Sequence, residues 1–269
     1  MRTIAITSGK GGVGKTNLSA NLAIALADMG QKVVIFDADI GLANLDVILG
    51  CRTTSNLQDY VSGSKRLVEV LHTGPSGVKF IPGGSGLDML FSFDKRHSER
   101  FFKDLAALQG DTDFLIFDTG AGLDGNVMSI LNTVDEVLLV VTPDPASLSD
   151  GYATAKALFS DNDRARINLV VNMVHDEDEA KRIHLHLCSV AQKFLNARFG
   201  YSGYVRFDMN AVALMRKRIP FVAGNPNLPA SIDVANIASC LMGQVGASPR
   251  RDFASRLLSA LSLRVRKLA

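Results

Sequence analysis

Thr3-Ile4-Ala5-Ile6-Thr7-Ser8-Gly9-Lys10-Gly11-Gly12-Val13-Gly14-Lys15-Thr16 is the stretch from which the rest of the chain is read. Residues 3–7 form an apolar run of strand length, and Gly9 to Thr16 fit the spacing GxxxxGK[ST]. Residues 15–29 then carry a helical pattern that Gly30 would stop. A strand, a glycine-rich loop and a helix in that order make a phosphate cradle. The glycines let the backbone curl with its N–H groups inward, and the helix adds the positive end of its dipole. Lys15 is placed to hold the β- and γ-phosphates of a nucleotide, and the Thr16 hydroxyl to ligate Mg²⁺. Gly11, Gly12, Val13, Gly14 and Asn17 complete the expected nucleotide-binding set, with ATP/ADP and Mg²⁺ as the cofactors.

Outward from that loop, apolar runs at 32–36, 78–82, 113–117, 136–141, 167–171 and 204–207 read as strands. Helical patterns separate them at 64–71, 98–109, 123–131, 146–159, 176–199, 210–218 and 229–243, with Ser64 as an N-cap and Gly200 as a stop. Several runs are apolar on both faces, as in a parallel sheet covered on each side. The pattern predicts an α/β, doubly wound, mostly parallel sheet with helices on both faces, the P-loop NTPase fold, over residues 1–245. Residues 246–269 are then a linker and a C-terminal basic amphipathic helix.

At 269 residues and 47% hydrophobic content the chain can bury a large core without disulfides or metals. A charged fraction of 21% and a net charge of +2 argue against disorder and against a globally basic nucleic-acid binder. The three cysteines, Cys51, Cys188 and Cys240, form no CxxC pair, which points to buried thiols in a reducing compartment. No charged-then-apolar leader precedes Thr3 and no apolar run approaches the ~20 residues of a membrane span, so a cytoplasmic protein is expected.

Two carboxylate segments belong with the loop. Asp37-Ala38-Asp39 follows the second apolar run, at the carboxyl edge of the sheet. Asp39 is read as the residue that positions an attacking water and joins the magnesium network. Asp37 is read as a structural residue bonding loop backbone, and Asp46 as either a switch residue or the cap of a short helix. Phe114-Leu115-Ile116-Phe117-Asp118 is an apolar strand ending in a carboxylate, which would reach Mg²⁺ through Asp118. Gly120 and Gly122 permit the mobile backbone of a γ-phosphate sensor. Asn172, closing a strand, can pair the donor and acceptor atoms of adenine or simply form a turn.

With Lys10 in its second position the loop GKGGVGKT is a deviant form of the motif, and here the chain resembles the MinD/ParA family of P-loop ATPases. The resemblance implies an ATP-dependent homodimer in which Lys10 reaches the nucleotide of the partner subunit, acting with Lys15 and Asp39 in catalysis. A phosphate contact within its own chain is the alternative for Lys10. The resemblance also assigns Asn172 to adenine and brings the backbone of Arg206-Phe207-Asp208 to the base. Leu18-Ser19-Ala20-Asn21-Leu22-Ala23, the stretch from Gly41 to Gly50, the stretch from Thr142 to Asp150 and Val171-Asn172-Met173 resemble the FlhG (FleN) flagellar-number branch more than division-site MinD. Implied partners are an FlhF-type GTPase, a flagellar regulator or a switch-complex protein. Many FlhG proteins carry an N-terminal helix that stimulates FlhF. The first strand here begins two residues into the chain, so stimulation by that route is not expected. A division-site or DNA-partition ATPase is the alternative function, an iron–sulfur carrier is disfavoured by the scattered cysteines, and a scaffold without turnover by the intact Lys15, Thr16, Asp39 and Asp118.

After the linker, Phe253, Leu257, Leu258, Leu261, Val265 and Leu268 share one helical face. Arg250, Arg251, Arg256, Arg264, Arg266 and Lys267 stand against Asp252 alone. Such a helix suits an anionic membrane surface, giving a protein peripheral on the inner face of the cell membrane when ATP-bound. Packing on its own domain is the alternative, and its apolar face disfavours DNA.

Overall fold

The computed structural model describes residues 1–39, 43–83, 95–163 and 165–243, with the side chains at 95–99 and 102 excepted. The linker and the basic helix expected at 246–269 lie outside the described residues, as do residues 40–42. Strands β1 (Arg2–Ser8), β2 (Val33–Ala38), β3 (His72–Thr73), β4 (Lys79–Ile81), β5 (Phe114–Ala121), β6 (Glu136–Val141), β7 (Ile167–Val174) and β8 (Gly200–Arg206) join in one sheet. Their order is β3-β4-β2-β5-β1-β6-β7-β8, and every described pairing is parallel except β3 with β4. The helices are α1 (Lys15–Asp28), α2 (Leu45–Ile48), α3 (Leu57–Val61), α4 (Lys95–Ala106), α5 (Gly125–Leu131), α6 (Pro145–Asp161), α7 (Glu177–Leu195), α8 (Met209–Arg216), α9 (Phe221–Gly224) and α10 (Pro229–Gly243).

Strands β2 and β6 are buried along their whole length, which is why they read as runs without alternation. Their side chains feed two cores, one on each face of the sheet. One gathers Phe36, Phe101, Phe117 and Leu169 beneath α4 to α7, and the other Ile4, Ile35, Ile116 and Leu138 beneath α1 and α10. Each such buried side chain contributes about 1.5–3 kcal/mol, so this layering is the main stabilisation of the fold. Strand β1 sits between β5 and β6, where chain direction across the sheet reverses. In open parallel sheets that switch point opens a crevice at the carboxyl edge, and Gly9–Thr16 fills this one.

Two expectations fail locally. No helix spans 64–71. Asn56 accepts from the Gln58 amide while Asp59 accepts from the Asn56 amide, a capping box that starts α3 eight residues earlier. Ser64 donates to the Asp59 carbonyl instead of capping, and Leu67–Glu69 makes only a 3₁₀ turn that still buries Leu67 and leads to a buried Val70. The helix read as ending at Gly200 stops at Asn196, whose φ of 49° turns the chain left-handed. Gly200 instead opens β8, where a Cβ would stand 1.6 Å from Asn168 Oδ1 of β7.

Candidate nucleotide site

The loop after β1 is pinned at its start. A Cβ on Gly9 would lie 2.0 Å from the Asp150 carbonyl carbon, so the loop backbone rests directly on α6. Gly14, with φ of 90°, turns the chain into α1 at a point where a Cβ would meet Asn172 Nδ2 at 2.5 Å. Lys15 follows as the first helical residue, and its ammonium is buried with one hydrogen-bond partner, Ser8 Oγ at 2.9 Å. Among the described residues it forms no ion pair. Burial pushes its pKa below the usual lysine range, against the opposing fields of Asp118 and Asp39. A buried cation with no anion in direct contact gains from one that completes its donors.

Two carboxylate segments border that cation. Asp118, in the carboxyl half of β5, is fully buried. Its Oδ1 accepts from Ser19 Oγ at 2.8 Å, and Oδ2 is buried with no hydrogen-bond partner. Burial pushes the Asp118 carboxyl up to about 6, tempered by the Ser19 and Thr16 hydroxyls and by Lys15. Ser19 was not among the expected site residues; its place one turn after Lys15, on the same helix face, is the signal that pointed there. Asp37 accepts from the amides of Asp39 and Leu45, each at 3.2 Å, and so ties the end of β2 to the start of α2. Burial, with the Asp118 charge behind it, pushes Asp37 up to about 8. Asp39 stands beside the β5 segment, since a Cβ on Gly120 would come within 3.5 Å of its Oδ1. The Gly122 amide in turn donates to the Ser8 carbonyl at the base of the loop. Asp46 lies in the first turn of α2, with Asn44 as the cap residue.

The orphaned Asp118 oxygen is the feature that fits a divalent cation. Mg²⁺ takes one or two protein oxygens and completes its shell with phosphate and water, so Thr16 and Asp118 form a suitable protein donor set. Lys10 points elsewhere in the isolated chain. Its ammonium pairs with Asp144 Oδ2 at 2.8 Å, and the same carboxylate caps α6 by accepting from the Ser147 amide at 3.1 Å. The hydrogen bond raises the Lys10 pKa and lowers that of Asp144. Asp144-Pro145-Ala146-Ser147 carries a capping signature, so this partner was legible as a cap though not as a partner of Lys10.

A cavity opens between α1, the ends of β7 and β8, and α8, with Gly14, Asn17, Asn172, Met173, Phe207 and Asp208 in its wall. Asn172 uses its amide locally, donating from Nδ2 to the Val13 carbonyl at 2.7 Å and accepting from the Met173 amide at 3.0 Å. Arg206, expected among the nucleotide contacts, serves as a brace. Its guanidinium makes a bidentate pair with buried Asp233, and its amide donates to the same carboxylate at 2.9 Å. Asp233 is buried in α10 and needs a cation, which the guanidinium supplies, while the base contact expected here was one of the backbone. Asp208 caps α8 through Oδ1 and leaves Oδ2 buried without a partner beside this cavity. Asp208 was expected near the base only through its backbone, and Asp233 was not singled out, although an acid inside the apolar helix 229–243 was a visible irregularity.

Comparison with known proteins places this geometry among relatives. A family profile described as "ParA: NUBPL iron-transfer P-loop NTPase" matches residues 1–242. The chain is 36% identical to the antiactivator FleN of Pseudomonas aeruginosa, over 88% of this chain and 85% of FleN. It is likewise 36% identical to the flagellum site-determining protein YlxH of Helicobacter pylori, over 90% and 82% of the two chains. The structure of the septum site-determining protein MinD from Pyrococcus horikoshii, complexed with Mg-ADP, superposes with a TM-score of 0.73 at 25% identity, covering 92% of this chain and 99% of that one.

Proposed function

The chain belongs to the ParA family of P-loop NTPases, and from that premise we propose that it is an ATP-driven switch controlling the number or placement of flagella. The flagellar assignment draws on the likeness to FleN and YlxH over most of the chain. The observation that carries the nucleotide assignment is the buried Lys15 ammonium at the mouth of α1, with Ser8 as its one hydrogen-bond partner among the described residues. Loop amides and Lys15 bind the triphosphate, and Asn172 with the ends of β7 and β8 receives the adenine. Thr16, Asp118 and Asp39 would hold a magnesium ion, which would supply positive charge against the phosphates. Asp39 orients the attacking water, and turnover is slow until a partner acts.

Lys10 completes the switch. On leaving Asp144 it reaches the nucleotide of a second copy, so that ATP joins two chains face to face. Loss of the γ-phosphate releases both carboxylate segments and the dimer separates. The segment carrying Phe253, Leu257, Leu258, Leu261, Val265 and Leu268 gives reversible attachment to an anionic membrane, which pairing of two chains strengthens. An FlhF-type GTPase, a flagellar regulator or a switch-complex protein reads the ATP-bound surface. Phosphate release and a sizing column test this reading together. The Asp39→Ala chain is expected to bind Mg·ATP, release no phosphate and elute as a dimer with ATP but not with ADP. Elution at one mass with either nucleotide would remove the dimer from the proposal.

A further inference from the structure

A second cavity, of about 710 Å³, lies between the end of α2 and the turn after α8, lined by Asp46, Gly50, Cys51, Arg52, Lys217 and Arg218 among others. That volume is in the range of small-molecule sites, roughly 300–1,000 Å³. Its charge is one-sided. Among the described residues Arg52, Lys217 and Arg218 make no ion pair and no side-chain hydrogen bond. Asp46, the carboxylate in the wall, is turned to its own loop, accepting from the Val47 amide at 2.8 Å and from Thr53 Oγ1 at 3.4 Å. Burial and the Asp46 charge hold the Cys51 thiol protonated, so it adds no second anion.

The walls are also fixed in place. Gly50 has φ of 68° and Arg218 has φ of 58°, a left-handed backbone that an arginine rarely adopts. The two residues touch, since a Cβ on Gly50 would stand 2.6 Å from the Arg218 carbonyl oxygen. Strain of this kind persists where surrounding structure enforces it, and it gathers at ligand sites. We infer that this cavity binds a small ligand bearing a phosphate group with two or more negative charges, gripped by Arg52, Lys217 and Arg218. Guanidinium groups match phosphate oxygens in a planar fork, and a lysine adds a point charge. This site is separate from the loop at Gly9–Thr16 and goes beyond the nucleotide switch.

Tripolyphosphate titrated calorimetrically into the full chain carrying Lys15→Ala tests it, because the loop then no longer competes. One site per chain is expected. Replacing Arg52→Gln, Lys217→Gln and Arg218→Asn together should weaken it about a hundredfold or more, at about tenfold per charge-assisted contact. Asparagine tolerates the left-handed backbone at 218, so folding is expected to survive, with the thermal midpoint as the control. Gly50→Ala keeps every cation but drives a Cβ into the Arg218 carbonyl, and should weaken binding by about tenfold. Absence of a binding heat, or an affinity that the triple substitution moves less than about twofold, would overturn the inference. Mg·ATP binding by the chain with Lys15 intact is read separately and does not bear on that outcome. Co-sedimentation with phosphatidylglycerol vesicles assigns the source. Loss of vesicle binding in the triple variant, with competition by tripolyphosphate, identifies a lipid headgroup; unchanged vesicle binding identifies a soluble phosphate compound.

Discussion

Lys15 and Lys10 carry the same side chain in opposite surroundings, one buried against Ser8 and the other exposed on Asp144. The exposed pair adds little to folding, because solvent screens it. Its consequence is for the switch: Asp144→Asn retains a cap for α6 while releasing Lys10. That substitution should let ATP-dependent dimers form at lower protein concentration, measured by analytical ultracentrifugation; an unchanged dimerisation midpoint would mean that the two contacts do not compete. Ser19→Ala removes the donor to Asp118 Oδ1 and leaves a buried carboxylate less satisfied. The expected loss is about 1–3 kcal/mol of stability, read as a lower urea midpoint at unchanged slope. Motif spacing made Lys15, Thr16 and Asp118 legible, because a phosphate loop constrains residue type at each position. It did not reveal Ser19 or Asp233, whose roles depend on neighbours distant in the chain.

The elements most legible in the sequence are those buried on both faces, such as β2 and β6, where continuous apolar runs leave little choice of structure. Those misread are short and governed by polar local bonds. Asn56 and Asp59 start α3 where hydrophobic periodicity was faint, and β3 contributes two residues to an edge that no pattern of alternation could announce. For Arg206 the resemblance spoke only of its backbone, and the role of its guanidinium was not legible, because the acid it pairs with lies 27 residues further along the chain. Its brace to Asp233 joins β8 to α10. Arg206→Ala strands a buried carboxylate and should lower stability by at most the low end of roughly 3–5 kcal/mol, since the arginine is partly exposed. Denaturant unfolding checks that figure, and a raised KM for ATP is expected alongside it as the end of β8 loosens. Gly9→Ala forces the loop off α6, where a Cβ would overlap the Asp150 carbonyl. Nucleotide affinity should collapse in that variant while the far-UV circular dichroism stays close to the parent's.

For the molecule as a whole, one sheet gathers the functional groups at a single edge. The loop after β1, the carboxylates in the carboxyl halves of β2 and β5 and just beyond β2, the cap after β6 and the cavity at the ends of β7 and β8 all stand toward the carboxyl edge of the sheet. That convergence follows from parallel pairing and from β1 lying at the switch point, and strand–helix alternation was enough to anticipate it. The most direct test of the phosphate cradle is calorimetric titration of Mg·ATP into the full chain and into its Lys15→Ala variant. One site per chain is predicted for the parent, abolished by the substitution and by chelating magnesium. Equal affinity in the two folded proteins, or none in either, would contradict the role assigned to the buried ammonium.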